Sequence, residues 1–185
     1  ISRGLLYHYF GSKHGFHRAV VRKAADDLIR VTAPPATGEP LERLARSLEA
    51  YVDYVAENFA GYTSLVRAAA GGDETLREIY EEARAALTDR IFDVAGADDN
   101  LVETFGIADT PSTRLLARGW SAMTEDVVIA WVRDPAGVEK AELLHLLAAA
   151  LPGVLAGSTT TAGQSRPWGR GRPAVGLGRG AVTWR

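Results

Sequence analysis

The sequence predicts an all-α protein, and three observations carry that prediction. Apolar residues recur at three-and-four spacing through most of the chain up to Leu155. No stretch alternates with the period of two that a half-buried strand requires. The breaks between periodic stretches hold caps, prolines and glycine pairs, the punctuation of helices. With 46% hydrophobic residues in 185, the chain can bury a proper core without covalent staples.

The elements follow in order. Ser2 is placed to cap a short helix over 3–10, where Leu6 and Phe10 share a face and Ile1 stands just ahead of the cap. Gly11 and Ser12 end it. Lys13 opens the next helix, with Phe16, Val20, Ala24 and Leu28 expected inward. Two prolines make 31–38 (VTAPPATG) a linker. Over 38–59, Leu41, Leu44, Leu48, Val52, Val55 and Phe59 form one stripe, and Pro40 suits its first turn. A shorter helix over 61–72 ends in a glycine pair. Asp73 caps a long one carrying Leu76, Ile79, Tyr80, Ala83, Leu87 and Ile91.

After a less regular stretch at 97–109, Thr110-Pro111 restarts a helix, as cap and first-turn proline. Its stripe is Leu116, Trp120, Met123, Val127 and Trp131. The last helix, 138–151, has leucines at 143, 144, 146, 147 and 151. Apolar around more than half its girth, it predicts packing in a bundle centre or on a second subunit. The helix is expected to end at Leu151, and after Pro152 the character of the sequence changes. From 157 to 185 a Gly-, Arg-, Thr- and Pro-rich run has no helical period and is expected to be a disordered tail.

Charge is unevenly spread. Residues 1–30 carry six basic side chains against Asp26 and Asp27, and 157–185 carry five arginines and no acid. The net charge is −2, so the middle is strongly acidic. A basic head on an acidic body points to an anionic partner met at one end.

Other classes find little support. Without cysteine there is no disulfide framework and no thiolate metal site. No apolar run reaches the length of a membrane span and no signal peptide stands at the start, so a soluble cytoplasmic protein with no membrane partner is expected. No G-x-S-x-G or comparable frame holds a nucleophile, so no enzyme is expected. The glycines make no dinucleotide loop, because no strand precedes them, and no cofactor is expected. His14 and His17 would hold a metal only with a third ligand, so no metal site is assigned. Gly169-Arg170-Gly171-Arg172-Pro173 resembles the core of an AT-hook, a short match that an Arg/Gly-rich tail produces by chance.

The opening residues carry the sharpest chemistry. The first helix has an apolar back and a front of Arg3, Gly4, Tyr7 and His8, with Lys13 just after it. A helix entering a DNA groove needs that pattern: its early residues reach base edges while flanking Lys and Tyr fix phosphates. The stretch SRGLLYHYFGSKHGFHRAVV resembles the recognition helix, turn and next helix of the TetR (tetracycline-repressor) family of bacterial regulators. The matching positions are Ser2, Leu6, Tyr7, Tyr9, Phe10, Lys13, Phe16, Ala19 and Val20.

The resemblance implies a TetR-like helical regulatory domain at 38–156, preceded by a partial helix-turn-helix at 1–32 and followed by the tail at 157–185. It implies a dimeric regulator, most simply a repressor, on a palindromic double-stranded DNA operator. Ser2 would cap the reading helix, Arg3 and Gly4 would face bases, and Tyr7, His8, Tyr9 and Lys13 would hold phosphate. Family members carry two further helices ahead of this point, roughly 25–40 residues at ordinary helix lengths. The 185-residue chain by itself is therefore expected to bind DNA weakly and nonspecifically. A dimerisation module that no longer reads DNA and a small-molecule-binding helical bundle are the alternatives.

The resemblance also implies a pocket for an unidentified small-molecule effector among the middle helices. Tyr51, Tyr54, Phe59, Tyr62, Trp120, Met123 and Thr124 are the residues expected to line it, apolar with a few polar handles. The homodimer is expected to form through the last two helices, with Val128, Trp131, Leu143, Leu144, Leu147 and Leu151 in a four-helix contact.

Overall fold

The structure is a computed structural model and describes residues 9–92 and 105–157. Its elements there are six helices: α1 Lys13–Val31, α2 Pro40–Glu57, α3 Phe59–Ala70, α4 Glu74–Asp89, α5 Pro111–Arg133 and α6 Lys140–Ala156. The Arg/Gly-rich tail with its Gly169–Pro173 motif lies outside the described residues.

Local chemistry sets the starts. The Ser12 hydroxyl accepts the Gly15 N–H at 2.9 Å, capping α1. Gly15 is required there, because a Cβ would stand 2.2 Å from the Phe10 carbonyl oxygen. Asp73 Oδ1 accepts the Leu76 N–H at 3.2 Å and starts α4. Thr110 and Thr113 satisfy each other's backbone N–H groups in a capping box ahead of α5, with Pro111 in the first turn.

Most boundaries fall within two residues of the sequence reading, and two show how the chain sets them. Helix α3 starts at Phe59, directly after Asn58, whose Nδ2 donates to the Tyr54 carbonyl. Helix α6 does not stop at Pro152 but runs through it to Ala156. Pro152 has no N–H to give the carbonyl one turn back. Continuing the helix, however, buries Leu155 completely beside Leu151, and that burial outweighs one missing hydrogen bond. Pro152→Ala should therefore stabilise the protein by about 1–3 kcal/mol, restoring the bond at the same burial. A urea-denaturation midpoint that falls instead would mean the ring itself packs.

The main core joins Leu48, Val52 and Val55 of α2 to Trp120 and Val128 of α5 and to Leu143, Leu147, Leu151 and Leu155 of α6. A smaller cluster sets Val21 and Ala25 of α1 on Leu76, Ile79 and Ala83 of α4. The buried face of α1 is thus Val21, Ala25 and Leu28, while Val20 is 48% exposed. Leu28 is buried as expected, while Val21 and Ala25 take the inward places expected for Val20 and Ala24. Helix α1 is also tied at its end, because Arg90 donates to the Ile29 carbonyl and, at 3.1 Å, to the Thr32 hydroxyl. No helix among the described residues is long and apolar enough to cross a membrane.

Candidate ligand-binding cavity

Helices α1 to α5 surround a cavity of about 570 Å³, within the range of pockets that take small organic ligands. Six of the seven expected residues line it: Tyr51, Tyr54, Phe59, Tyr62, Trp120 and Thr124. Met123 does not, and is 39% exposed. One residue along a helix is a turn of about 100°, which carries Thr124 inward and Met123 out.

The polar end of the cavity is a chain of hydroxyls on one carboxylate. Tyr62 donates to Glu125 Oε2 at 3.0 Å and Tyr80 donates to Oε1 at 2.7 Å. The Tyr51 and Tyr62 hydroxyls are 2.9 Å apart. Tyr62 has one proton and gives it to Glu125, so Tyr51 is the donor in that pair. The Tyr51 and Tyr62 rings meet edge to face with centroids 6.2 Å apart. On a separate wall, Tyr54 donates to the Ala24 carbonyl at 2.9 Å, fastening α2 to α1.

Burial raises the Tyr51, Tyr62 and Tyr80 hydroxyls well above the ordinary phenol range, and the Glu125 charge raises them further. All three are therefore protonated donors at neutral pH. A folded-state pKa above the unfolded value gives stability that is whole below about pH 10 and is lost as pH rises beyond it. The melting temperature should hold up to about pH 10 and then fall steeply. Tyr62→Phe should make that fall shallower; a wild-type curve flat to pH 12 would contradict the buried chain.

Three side-chain atoms in the cavity wall are buried without a hydrogen-bond partner among the described residues: Ser47 Oγ, Arg84 Nε and Thr124 Oγ1. Thr63 and Thr88, by comparison, return their hydroxyls to the carbonyl one turn back. Sequence reasoning missed Tyr80 as a wall residue, and missed Arg84 and Glu125 altogether. The available signal was position: Tyr80 and Arg84 are four apart on the inward face of α4, and Glu125 adjoins the α5 stripe.

Of the expected DNA-facing residues, Ser2, Arg3, Gly4, Tyr7 and His8 lie outside the described residues. Tyr9 is 73% exposed, and Lys13 is exposed at the first position of α1. His17 lines the cavity, and His14 Nδ1 stands 3.9 Å from Asp73 Oδ2.

The residues expected at the dimer contact sit differently. Val128, Leu143, Leu147 and Leu151 are buried in the protomer's own core. Trp131 is half-buried and donates its Nε1 hydrogen to the Val138 carbonyl at 2.8 Å, and Leu144 is half-buried beside that core. The outward apolar residues of these helices are Leu115, at 70% exposure, and Met123 of α5 with Leu146 of α6, at 55%.

Known proteins bear on this arrangement. Residues 40–151 match the family described as tetracyclin repressor-like, C-terminal domain. The chain is 24% identical over 142 residues to the HTH-type transcriptional activator FasR of Mycolicibacterium smegmatis, an alignment covering 76% of this chain. The chain spans 62% of that relative's length. It is also similar to the crystal structure of a tetR-family transcriptional regulator from Streptomyces coelicolor, with a TM-score of 0.68 and 26% identity. That match covers 86% of this chain and 70% of the other. A family match across most of the chain, over the helices that build the core and most of the cavity wall, makes this protein a member of the TetR family of transcriptional regulators.

Proposed function

We propose that the protein is a ligand-responsive DNA-binding repressor, acting in the cytoplasm as a homodimer on a palindromic double-stranded operator. The cavity is its effector site. The observation that carries this reading is that α1, joined to Tyr9 and Phe10 through Gly11 and Ser12 alone, is also a wall of the cavity through Val21, Ala24, Ala25 and Leu28. A ligand that packs better against one setting of α1 than another shifts the population between them and moves whatever α1 carries. The Tyr54 bond to Ala24 and the Arg90 bonds to Ile29 and Thr32 are the polar ties such a shift would load.

Two copies meet, in this reading, through the outward faces of α5 and α6 that carry Leu115, Met123 and Leu146. The test uses the full-length native regulator and a pool of randomised duplexes. Selection is expected to enrich one palindromic site, with affinity that falls as salt rises. The double substitution Leu115→Glu and Leu146→Glu should halve the mass in solution and abolish that enrichment. A protein that dimerises yet enriches no sequence is a dimerisation module, and the regulator reading then fails.

A further inference from the structure

The three unpartnered atoms in the cavity wall say what kind of molecule it takes. Tyr80, Arg84 and Thr88 follow one another at four-residue steps, on one face of α4. Tyr80 is bonded to Glu125, and Thr88 to Ser121 at 2.9 Å, both partners on α5. Arg84 stands between these two cross-links, at the level of α5 where Thr124 turns inward. Its guanidinium carbon lies 5.9 Å from the Tyr80 ring centroid, and no carboxylate among the described residues pairs with it. Thr124 is 4% exposed with its hydroxyl unused.

The rest of the polar wall is already engaged. Both Glu125 oxygens accept tyrosine hydroxyls. Arg43 donates its Nε hydrogen to the Pro35 carbonyl at 2.8 Å, and Arg90 is spent on the end of α1. The wall holds Arg43, Arg84 and Arg90 against Glu57 and Glu125, one positive charge in excess. A partly buried guanidinium without a counter-charge is costly, and a carboxylate answers its planar donors better than any neutral acceptor does.

We infer that the cavity binds an amphipathic organic acid, its carboxylate on Arg84 with the Thr124 and Ser47 hydroxyls as further donors, and its apolar body along Leu28, Phe59 and Trp120. The inference rests on the effector reading of the cavity and names the ligand class for it. A ligand ammonium would have to share Glu125 with two tyrosines. A neutral amphiphile would leave Arg84 as unmatched as it is now.

The test titrates the full-length native regulator with three probes of one chain length: decanoate, decanol and decyltrimethylammonium, all below their micellar concentrations. Fluorescence of Trp120, which lines the cavity, reports binding, with Trp120→Phe as the control that assigns the signal. Decanoate should bind at least about tenfold more tightly than either other probe, the scale of a charge-assisted pair. Arg84→Met should bring decanoate to the level of decanol, and Thr124→Val should weaken decanoate about threefold. Should Arg84→Met fail to fold, Arg84→Lys keeps the charge without the planar fork and should lose part of the preference while still favouring the acid. Equal binding of decanoate and decanol, or tightest binding of the ammonium, overturns the acid class and leaves the effector cavity standing. Binding of none of the three overturns both.

Discussion

Trp120→Ala is expected to destabilise the protein by about 3–5 kcal/mol, the range for removing a large buried aromatic side chain. Trp120 is 6% exposed, sits in the main core and forms part of the cavity wall. Its Nε1 hydrogen goes to the Leu147 carbonyl at 3.1 Å, a cross-link from α5 to α6 inside apolar surroundings. Truncation would leave a cavity that joins the existing one and a buried carbonyl with one donor fewer. Chemical denaturation measures the cost. Trp120→Phe, which keeps most of the volume and loses only the N–H, should lose about 1–2 kcal/mol. Equal losses in the two variants would place the energy in the hydrogen bond and not in the packing.

The second large effect is expected at Glu125. Glu125→Leu removes the acceptor of two tyrosine hydroxyls. Tyr80 would be left with no hydrogen-bond partner among the described residues, whereas Tyr62 would keep its contact with Tyr51. Each orphaned buried hydroxyl costs about 1–3 kcal/mol, so Glu125→Leu should destabilise by about 2–4 kcal/mol. Glu125→Gln, which still offers one acceptor, should lose less than half of that. The two variants separate a structural need for the acceptor from a need for the charge. If both fold as stably as wild type, the hydroxyl chain contributes nothing and the cavity's polar end is not preorganised.

Much of this fold was legible in the sequence because helical burial leaves a periodic trace. The stripes from Leu44 to Val55 and from Leu76 to Ala83 read directly as the inward faces of α2 and α4, whereas Leu41, expected on the same stripe, is 45% exposed in the first turn of α2. Where apolar residues come in pairs, periodicity fixes the helix and not its rotation. Val20-Val21 and Ala24-Ala25 in α1 allow two faces about 100° apart, and the packing of α1 against α4 selects the second of each pair. The same ambiguity put Met123 in the cavity and left Val128 and the leucines at 143, 147 and 151 for a second subunit. In α6 the apolar girth could not reveal which side its own protomer fills.

The cavity itself was half legible. The family resemblance implied it, and six of the seven residues named for it line the cavity. Its charged members were hidden for a physical reason. On a helix, an isolated Arg or Glu reads as a solvated side chain, and only the three-dimensional path of the neighbouring helices shows that Arg84 Nε is shielded from water. Pro152 misled in the opposite direction, since a local rule about helix ends yields to the burial of Leu155.

Occupancy of this cavity is expected to reach α1. Hydrogen–deuterium exchange of the full-length native regulator, free and saturated with whichever of the three amphiphilic probes binds most tightly, tests it most directly. The expected result is altered exchange over Lys13–Val31 together with protection of the cavity-lining parts of α2, α4 and α5. Protection of those three helices with α1 unchanged would contradict it: the cavity would bind its ligand without reaching α1.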